Sequence, residues 1–101
     1  MIKSWGFIFV AQGTNPATDR MVLERDGVRT TLVAVPDPSL APRIATELVD
    51  GGAQLIELCG VFGPLWTAKV IEATAKRVPV GAVGFGAESL VPLATLVTTA
   101  A

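Results

Sequence analysis

The chain contains no histidine and only one cysteine, Cys59, among its 101 residues. Without histidine it lacks the commonest general base, the commonest zinc ligand and the side chain that titrates near neutral pH. A single cysteine also excludes a disulfide within the chain and a cysteine-based metal cage. The sequence therefore predicts no metal site and identifies no cofactor. A lone free thiol fits a reducing, cytoplasmic location.

Charged residues are scarce as well. They make up 17% of the chain, with eight Lys and Arg against nine Asp and Glu and a formal net charge of −1. Binding to the phosphate backbone of a nucleic acid requires a clustered basic face, and the sequence contains no such cluster. We therefore expect no nucleic-acid partner.

Long uninterrupted hydrophobic runs are missing too. Residues 78–101 carry only one charge, Glu88, but glycines and prolines interrupt them, whereas a membrane-spanning helix needs about 20 apolar residues in succession. Residues 1–11 are apolar but lack the small-residue cleavage site of a signal peptide. Both segments are predicted to be core, and no membrane partner is expected.

What the sequence does contain is a large hydrophobic fraction. Half of the residues are hydrophobic, and the mean hydropathy is +0.55. A monomer of this size cannot easily hide so much apolar surface. The composition therefore predicts a homo-oligomer, most simply a symmetric homodimer.

Runs rich in β-branched and aromatic residues alternate with helical patterns along the chain. The predicted strands cover 3–12, 28–35, 53–59 and 79–85, and the predicted helices cover 17–25, 39–50, 64–77 and 89–97. Residues 17–25 have a competing interpretation, a hairpin that turns on Asp26 and Gly27.

This alternation predicts one α/β domain over residues 1–101, with helices packed on a small, mostly parallel four-stranded sheet. The favoured arrangement is an open three-layer sandwich of the Rossmann-like or flavodoxin-like kind. One strand order compatible with it is 2-1-3-4, but the sequence does not decide the order. The alternative is half of a (βα)₈ barrel that pairs with a second copy. In both, ligands bind beyond the C-terminal ends of the strands.

Glu57 is the first candidate catalytic residue, because it lies inside a strand that is predicted to be buried. An isolated carboxylate is costly to bury. It is therefore paired with a cation such as Lys3, faces an open pocket, or holds a proton near neutrality. The last two possibilities make Glu57 a candidate general acid or base.

Cys59 is the second candidate catalytic residue. It follows Glu57 by two positions, so the two side chains are predicted to share one face of the strand. Lying just before a helix N-terminus, Cys59 could be a nucleophile, although no histidine is present to activate it. The competing interpretation is a small hydrophobic core residue.

Two glycine-bearing turns, 60–64 and 84–89, each lead into a predicted helix. Such turns let backbone N–H groups contact an anion, but the spacing matches neither a Walker loop nor a dinucleotide fingerprint. The alternative is that the glycines only permit tight packing. Phe62 and Trp66 are predicted to wall the pocket. The candidate ligand-binding residues are Gln12, Thr14, Gly60, Phe62, Gly63, Trp66, Gly84, Gly86, Glu88 and Ser89.

The segments 55–60, 62–64, 78–86 and 88–89 together resemble an uncharacterised bacterial family of short α/β proteins, a domain of unknown function. The resemblance covers nearly the whole chain. It implies a small α/β fold and brings no activity, substrate or catalytic residue. It also supports treating 55–64 and 78–89 as one surface.

Three functions are compatible with these features. The leading hypothesis is an uncharacterised protein that binds a small anionic metabolite at the C-terminal ends of the strands, with proton transfer at Glu57 if it is an enzyme. The alternative is a non-catalytic homo-oligomeric binding or structural module in which Glu57 is a buried, paired group. The third is redox sensing at Cys59. The sequence does not decide whether the protein is an enzyme.

Overall fold

A computed structural model describes residues 1–99, which form a five-stranded mixed sheet and three α-helices. The strands are β1 (Ser4–Val10), β2 (Arg20–Arg25), β3 (Val28–Val35), β4 (Ile56–Leu58) and β5 (Val80–Ala82). The helices are α1 (Ala41–Asp50), α2 (Gly63–Ala73) and α3 (Leu90–Thr99). Single 3₁₀ turns, Pro38–Leu40 and Ala87–Ser89, precede α1 and α3.

The strands lie in the order β2-β3-β1-β4-β5. The last four of these are parallel to one another. They correspond to the four predicted strands, in the order 2-1-3-4 that the sequence allowed without deciding it. The remaining strand, β2, pairs antiparallel with β3. The parallel part of the sheet is therefore as predicted, but the sheet as a whole is mixed.

The predicted helix over 17–25 is wrong, and the competing hairpin is present. Asp26 and Gly27 connect β2 to β3 with φ angles of 54° and 76°. Positive φ at both central residues is the geometry of the tight two-residue turn that matches the twist of paired strands. Because β2 occupies the edge next to β3, the sheet is open at both ends and does not form half of a barrel.

The core lies between the sheet and the first two helices. Ile8 of β1 is in register with Val33 and Leu58 on the neighbouring strands, and all three are buried. Helices α1 and α2 pack on these residues and on each other. The buried cluster consists of Ile8, Val33, Val35, Ala41, Ile44, Ala45, Ala53, Ile56, Leu58, Phe62 and Val70.

Both helices cover the same face of the sheet, so the predicted three-layer sandwich is wrong. The connections from β3 to β4 and from β4 to β5 step in the same direction across the sheet. Right-handed crossovers that step in one direction place their helices on one face. The register places twelve residues on the opposite face, here called the uncovered face: Trp5, Phe7, Phe9, Met21, Leu23, Arg25, Val28, Thr30, Leu32, Ala34, Glu57 and Gly81.

Helix α3 was also expected to be core, but none of its residues is buried. Val91 is 77% exposed and Leu96 is 63% exposed. The radius of gyration is 14.3 Å, against about 13 Å for a compact domain of 100 residues. The apolar last helix therefore projects from the sheet instead of closing over it. Within residues 1–99, no helix combines the length and the apolar character needed to cross a membrane.

Candidate functional site

Glu57 lies on the uncovered face, between Phe7 of β1 and Gly81 of β5 in the strand register. Glu57 is exposed, which corrects the prediction that its strand is buried on both faces. The physical reason is that no helix covers this face. Among residues 1–99, the ion pairs are Arg20–Glu47, Arg29–Glu24 and Arg77–Asp50. Within that part of the chain Glu57 has no ionic partner, so the predicted pairing with Lys3 is not formed.

A shallow hollow of about 210 Å³ lies beside this carboxylate. Its lining residues are Glu57, Gly81, Ala82 and Val83. At Gly81 a β-carbon would meet no atom within 4 Å, so the missing side chain leaves open space there. We call this feature the Glu57 hollow. It places the Glu57 carboxylate beside apolar residues at the surface of the sheet.

Cys59 does not share a face with Glu57, contrary to the prediction. Strand β4 ends at Leu58, and the alternation of side chains ends with it. The half-buried Cys59 packs against the core, where its Sγ accepts a hydrogen bond from the backbone nitrogen of Val10 at 3.4 Å. The surroundings of Cys59 are those of a cysteine that packs on a hydrophobic core, and among residues 1–99 they provide no adjacent base for a nucleophile.

The two glycine-bearing turns come together, as the sequence predicts. The ring of Phe85 lies over Gly60, with its Cε2 atom 3.2 Å from the position that a β-carbon on Gly60 would take. Gly63 starts α2 with a φ angle of 65°. Because Phe85 fills the space above Gly60, the first turn is already covered by the chain itself.

The second turn is occupied by a carboxylate of the chain. Both carboxylate oxygens of Glu88 lie 2.8 Å from the position of a β-carbon on Gly86. The backbone nitrogen of Ser89 donates to the carbonyl oxygen of Gly86 at 3.0 Å. Gly84 has open space around it, but an anion at this turn would meet the negative charge of Glu88.

The predicted aromatic walls lie elsewhere. Phe62 is only 3% exposed and belongs to the core, so its assignment as a pocket wall is wrong. Trp66 is half-buried against that core. The Nζ atom of Lys69 lies 4.3 Å from the centre of the Trp66 ring, a cation–π contact that occupies part of the ring surface.

A family model matches residues 3–98, and its description is a family of unknown function, DUF6506. The chain belongs to DUF6506. No curated protein sequence and no solved structure matches it. DUF6506 membership confirms the resemblance drawn from 55–64 and 78–89, and it assigns no role to any residue. A site in this DUF6506 chain therefore has to be argued from its geometry.

The remaining predicted residues of the DUF6506 chain, Gln12 and Thr14, lie in the loop after β1. Gln12 is exposed, and the Thr14 hydroxyl donates to the carbonyl oxygen of Ala11 at 2.6 Å. Thr14 also lines a cleft of about 320 Å³ against α1, together with Arg20 and Arg43. The structure does not unite this loop with the Glu57 hollow in one pocket.

Sequence reasoning missed Phe7 and Gly81 as neighbours of Glu57 on the uncovered face of the DUF6506 chain. Phe7 is half-buried and stacks with Phe9 at a distance of 6.2 Å between ring centres. Alternation along β1 could have paired these two rings, but only the strand register sets them beside a carboxylate. Within residues 1–99, no group of three or more Cys, Asp or Glu side chains could hold a metal ion.

Proposed function

We propose that this DUF6506 protein binds a small molecule at the Glu57 hollow. The observation that carries the proposal is the carboxylate of Glu57 standing beside the aromatic ring of Phe7 on the uncovered face, with no ionic partner among residues 1–99. Ligand sites combine apolar walls with a few polar groups that fix the orientation of the ligand. The open space over Gly81 provides room for a ligand group next to the carboxylate.

The chemistry of this hollow favours a hydrogen-bond donor as the ligand. An ionised carboxylate only accepts hydrogen bonds and attracts positive charge. A small amine or amide with a flat apolar part would contact Glu57 with its nitrogen and Phe7 with its apolar part. An anionic metabolite is disfavoured beside the Glu57 carboxylate, and at the glycine-bearing turns it would meet Phe85 and Glu88.

A proton-transfer reaction is the catalytic form of the same proposal. Of the four residues that line the hollow, Glu57 alone has a side chain that accepts a proton. An isomerase or lyase acting here would therefore use Glu57 as its general base. Cys59 has no part in this reaction, because it packs on the core.

Nuclear magnetic resonance titration of the ¹⁵N-labelled protein tests the proposal, with benzylamine as the probe and inorganic phosphate in parallel. Benzylamine should shift the amide signals of Gly81, Ala82 and Val83, and Glu57→Gln should abolish these shifts in a spectrum that is otherwise folded. Glu72→Gln, an exposed glutamate on α2, is the matched control and should leave them unchanged. Benzylamine shifts that survive Glu57→Gln would contradict the proposal. So would a protein that shows phosphate shifts at the glycine-bearing turns and no benzylamine shifts at Gly81, Ala82 and Val83.

Native mass spectrometry of gently purified protein complements this titration. A discrete additional mass would identify a retained compound, whose binding should weaken in Glu57→Gln. The proposed location of the protein is the cytoplasm, based on the single free cysteine, Cys59. Cell fractionation checks that location.

A second candidate function is a non-catalytic homo-oligomeric module. The uncovered face favours it, because a bare sheet face that carries three aromatic side chains is typical of an interaction surface. Sedimentation velocity of the intact protein measures its oligomeric state. A strictly monomeric protein would contradict this second candidate and would leave the Glu57 hollow untouched.

A further inference from the structure

The uncovered face contains an apolar patch that no helix within residues 1–99 covers. It is built by three adjacent strands, β1, β3 and β2. Of its members, Met21 is 61% exposed and Leu23 is 52% exposed. The residues of this apolar patch are Trp5, Phe7, Phe9, Met21, Leu23 and Leu32.

Helix α3 is the second apolar surface without a partner. Its ten residues, LVPLATLVTT, include no charged side chain. Leu90, Leu93, Leu96 and Val97 recur at helical spacing and so form one apolar stripe. Helices of this composition are normally buried, yet α3 has no buried residue.

The polar groups of α3 are already satisfied inside the helix. The hydroxyl of Thr95 donates to the carbonyl oxygen of Val91 at 3.0 Å, and that of Thr98 donates to Ala94 at 2.9 Å. Thr99 donates in the same way to Thr95 at 2.8 Å. Since these hydroxyls need no water as a partner, burying α3 leaves none of them without a hydrogen bond.

We infer that α3 of one protomer packs on the apolar patch of a second copy of this chain, and that the second copy does the same in return. The inference deepens the second candidate function and rests on it. Each copy has one helix without a sheet to cover and one sheet face without a helix. If each copy packs its α3 on the apolar patch of the other, both apolar surfaces are buried. The assembly then stops at two copies, as a two-fold symmetric interface does.

The dimensions of the two surfaces suit a stable dimer. Three strands at their usual spacing make the apolar patch roughly 14 Å wide, and the seven residues of β1 make it roughly 23 Å long. The patch is therefore on the order of 330 Å² in projection, and the ten residues of α3 add a surface on the order of 150 Å². A stable interface buries about 800 Å² of accessible surface on each partner, which is a comparable scale.

The distribution of charge points the same way. Helix α3 contains no charged residue, and the charged residue that the register places on the uncovered face of β1, β2 and β3 is Arg25, at the end of β2. The centres of protein interfaces are depleted in charge, whereas their rims are polar. Glu57 lies on β4, beside the apolar patch and outside it. The Glu57 hollow therefore borders the proposed interface, where the second copy can deepen it.

Sedimentation of the intact protein and four lysine variants tests the inference. Leu96→Lys alters the stripe of α3, and Leu32→Lys alters the apolar patch. Each should raise the dissociation constant of the dimer at least about 30-fold, the loss typical of a central contact. The controls are Thr95→Lys, on the side of α3 opposite the stripe, and Val61→Lys, an exposed position in a loop. Both controls should remain dimers.

Several results would overturn the inference. A wild-type protein that is monomeric at about 100 µM would do so, as would a dimer that survives either Leu96→Lys or Leu32→Lys. Cross-linking with a bismaleimide provides a second measurement, using Leu96→Cys and Leu32→Cys proteins that also carry Cys59→Ala. Cross-links between the two mixed single variants support the exchange. A double variant that cross-links only within one chain shows instead that α3 folds onto its own sheet.

The benzylamine titration separates this inference from the proposed function. A monomeric Leu96→Lys protein whose Gly81 signal still responds to benzylamine would show that the Glu57 hollow binds without a partner. If the wild-type protein is a monomer and its Gly81 signal responds to benzylamine, the dimer is overturned and the ligand site is retained. If the wild-type protein is a dimer and its Gly81 signal does not respond, the ligand site is overturned and the dimer is retained.

Discussion

Phe7 of β1 and Glu57 of β4 are register partners in neighbouring parallel strands, so an aromatic ring and a carboxylate stand side by side. The next residue along each strand, Ile8 and Leu58, points to the opposite face and is completely buried. One step along the chain therefore separates the packed core from the proposed ligand site. Substitutions on the two faces should consequently have different effects.

Glu57→Gln should leave the free energy of unfolding within about 0.5 kcal/mol of wild type, because the side chain is exposed and has no ionic partner among residues 1–99. Ile8→Ala, on the other face, should cost about 2–5 kcal/mol through the cavity it leaves. Urea denaturation measures both. A loss above about 2 kcal/mol for Glu57→Gln would indicate a buried, paired carboxylate instead.

Gly27→Ala should destabilise the protein by about 1–2 kcal/mol, because the φ angle of 76° at this residue is strained for any side chain with a β-carbon. Asp26→Asn is the control at the other central position of the turn. Asparagine adopts positive φ well, so this variant should be as stable as wild type or slightly more stable. Equal stability of Gly27→Ala and wild type in thermal denaturation would contradict the observed turn.

Cys59 should react with Ellman's reagent more than about tenfold more slowly in the native protein than in guanidinium chloride. The reason is that its sulfur packs on the core and accepts the hydrogen bond from Val10. The rate of absorbance change measures this difference. Equal rates in the two conditions would revive the hypothesis of redox sensing at this residue.

Asp37 should contribute a pH-dependent part of the stability. The hydroxyl and then the backbone N–H of Ser39 donate hydrogen bonds to its carboxylate and hold the pKa of Asp37 below its ordinary value of 3.8. Because the pKa is lower in the folded state, the stabilisation is complete above the unfolded pKa. It is lost as the pH falls through the folded pKa.

Asp37→Ala should therefore be less stable than wild type near neutral pH, and the difference should shrink on acidification to about pH 2. Asp37→Asn keeps an acceptor at the start of the helix and removes the titration, so it serves as the control. Thermal midpoints across this pH range measure the effect. A difference between Asp37→Ala and wild type that is constant with pH would contradict the assignment.

The sequence predicted most of the parallel sheet and the positions of the helices. Helix α1 ends at Asp50, before Gly51, as its pattern indicates. Strand β2 was missed because Met21, Val22 and Leu23 are apolar in succession and show no period-two alternation. Asn15 followed by Pro16 is also typical of a helix start, although the Asn15 side chain only accepts a hydrogen bond from the nitrogen of Ala17 there.

The exposure of Glu57 could not be predicted from the local pattern. Phe7 and Ile8 are both large and apolar, so β1 has the pattern of a strand buried on two faces whether or not a second layer of helices exists. What decides the matter is the direction in which the chain crosses the sheet. That direction depends on which strands pair, and the pattern within a short segment does not show which strands pair.

The edges of the sheet restrict how the protein can associate. Strand β5 is three residues long, and β2 at the opposite edge carries Arg20, Glu24 and Arg25. Short edges and charged edges resist pairing with a strand of another molecule. Growth of the sheet from chain to chain, as in a fibril, is therefore opposed at both ends. Association through the face of the sheet should produce finite particles that stay in solution as the concentration rises.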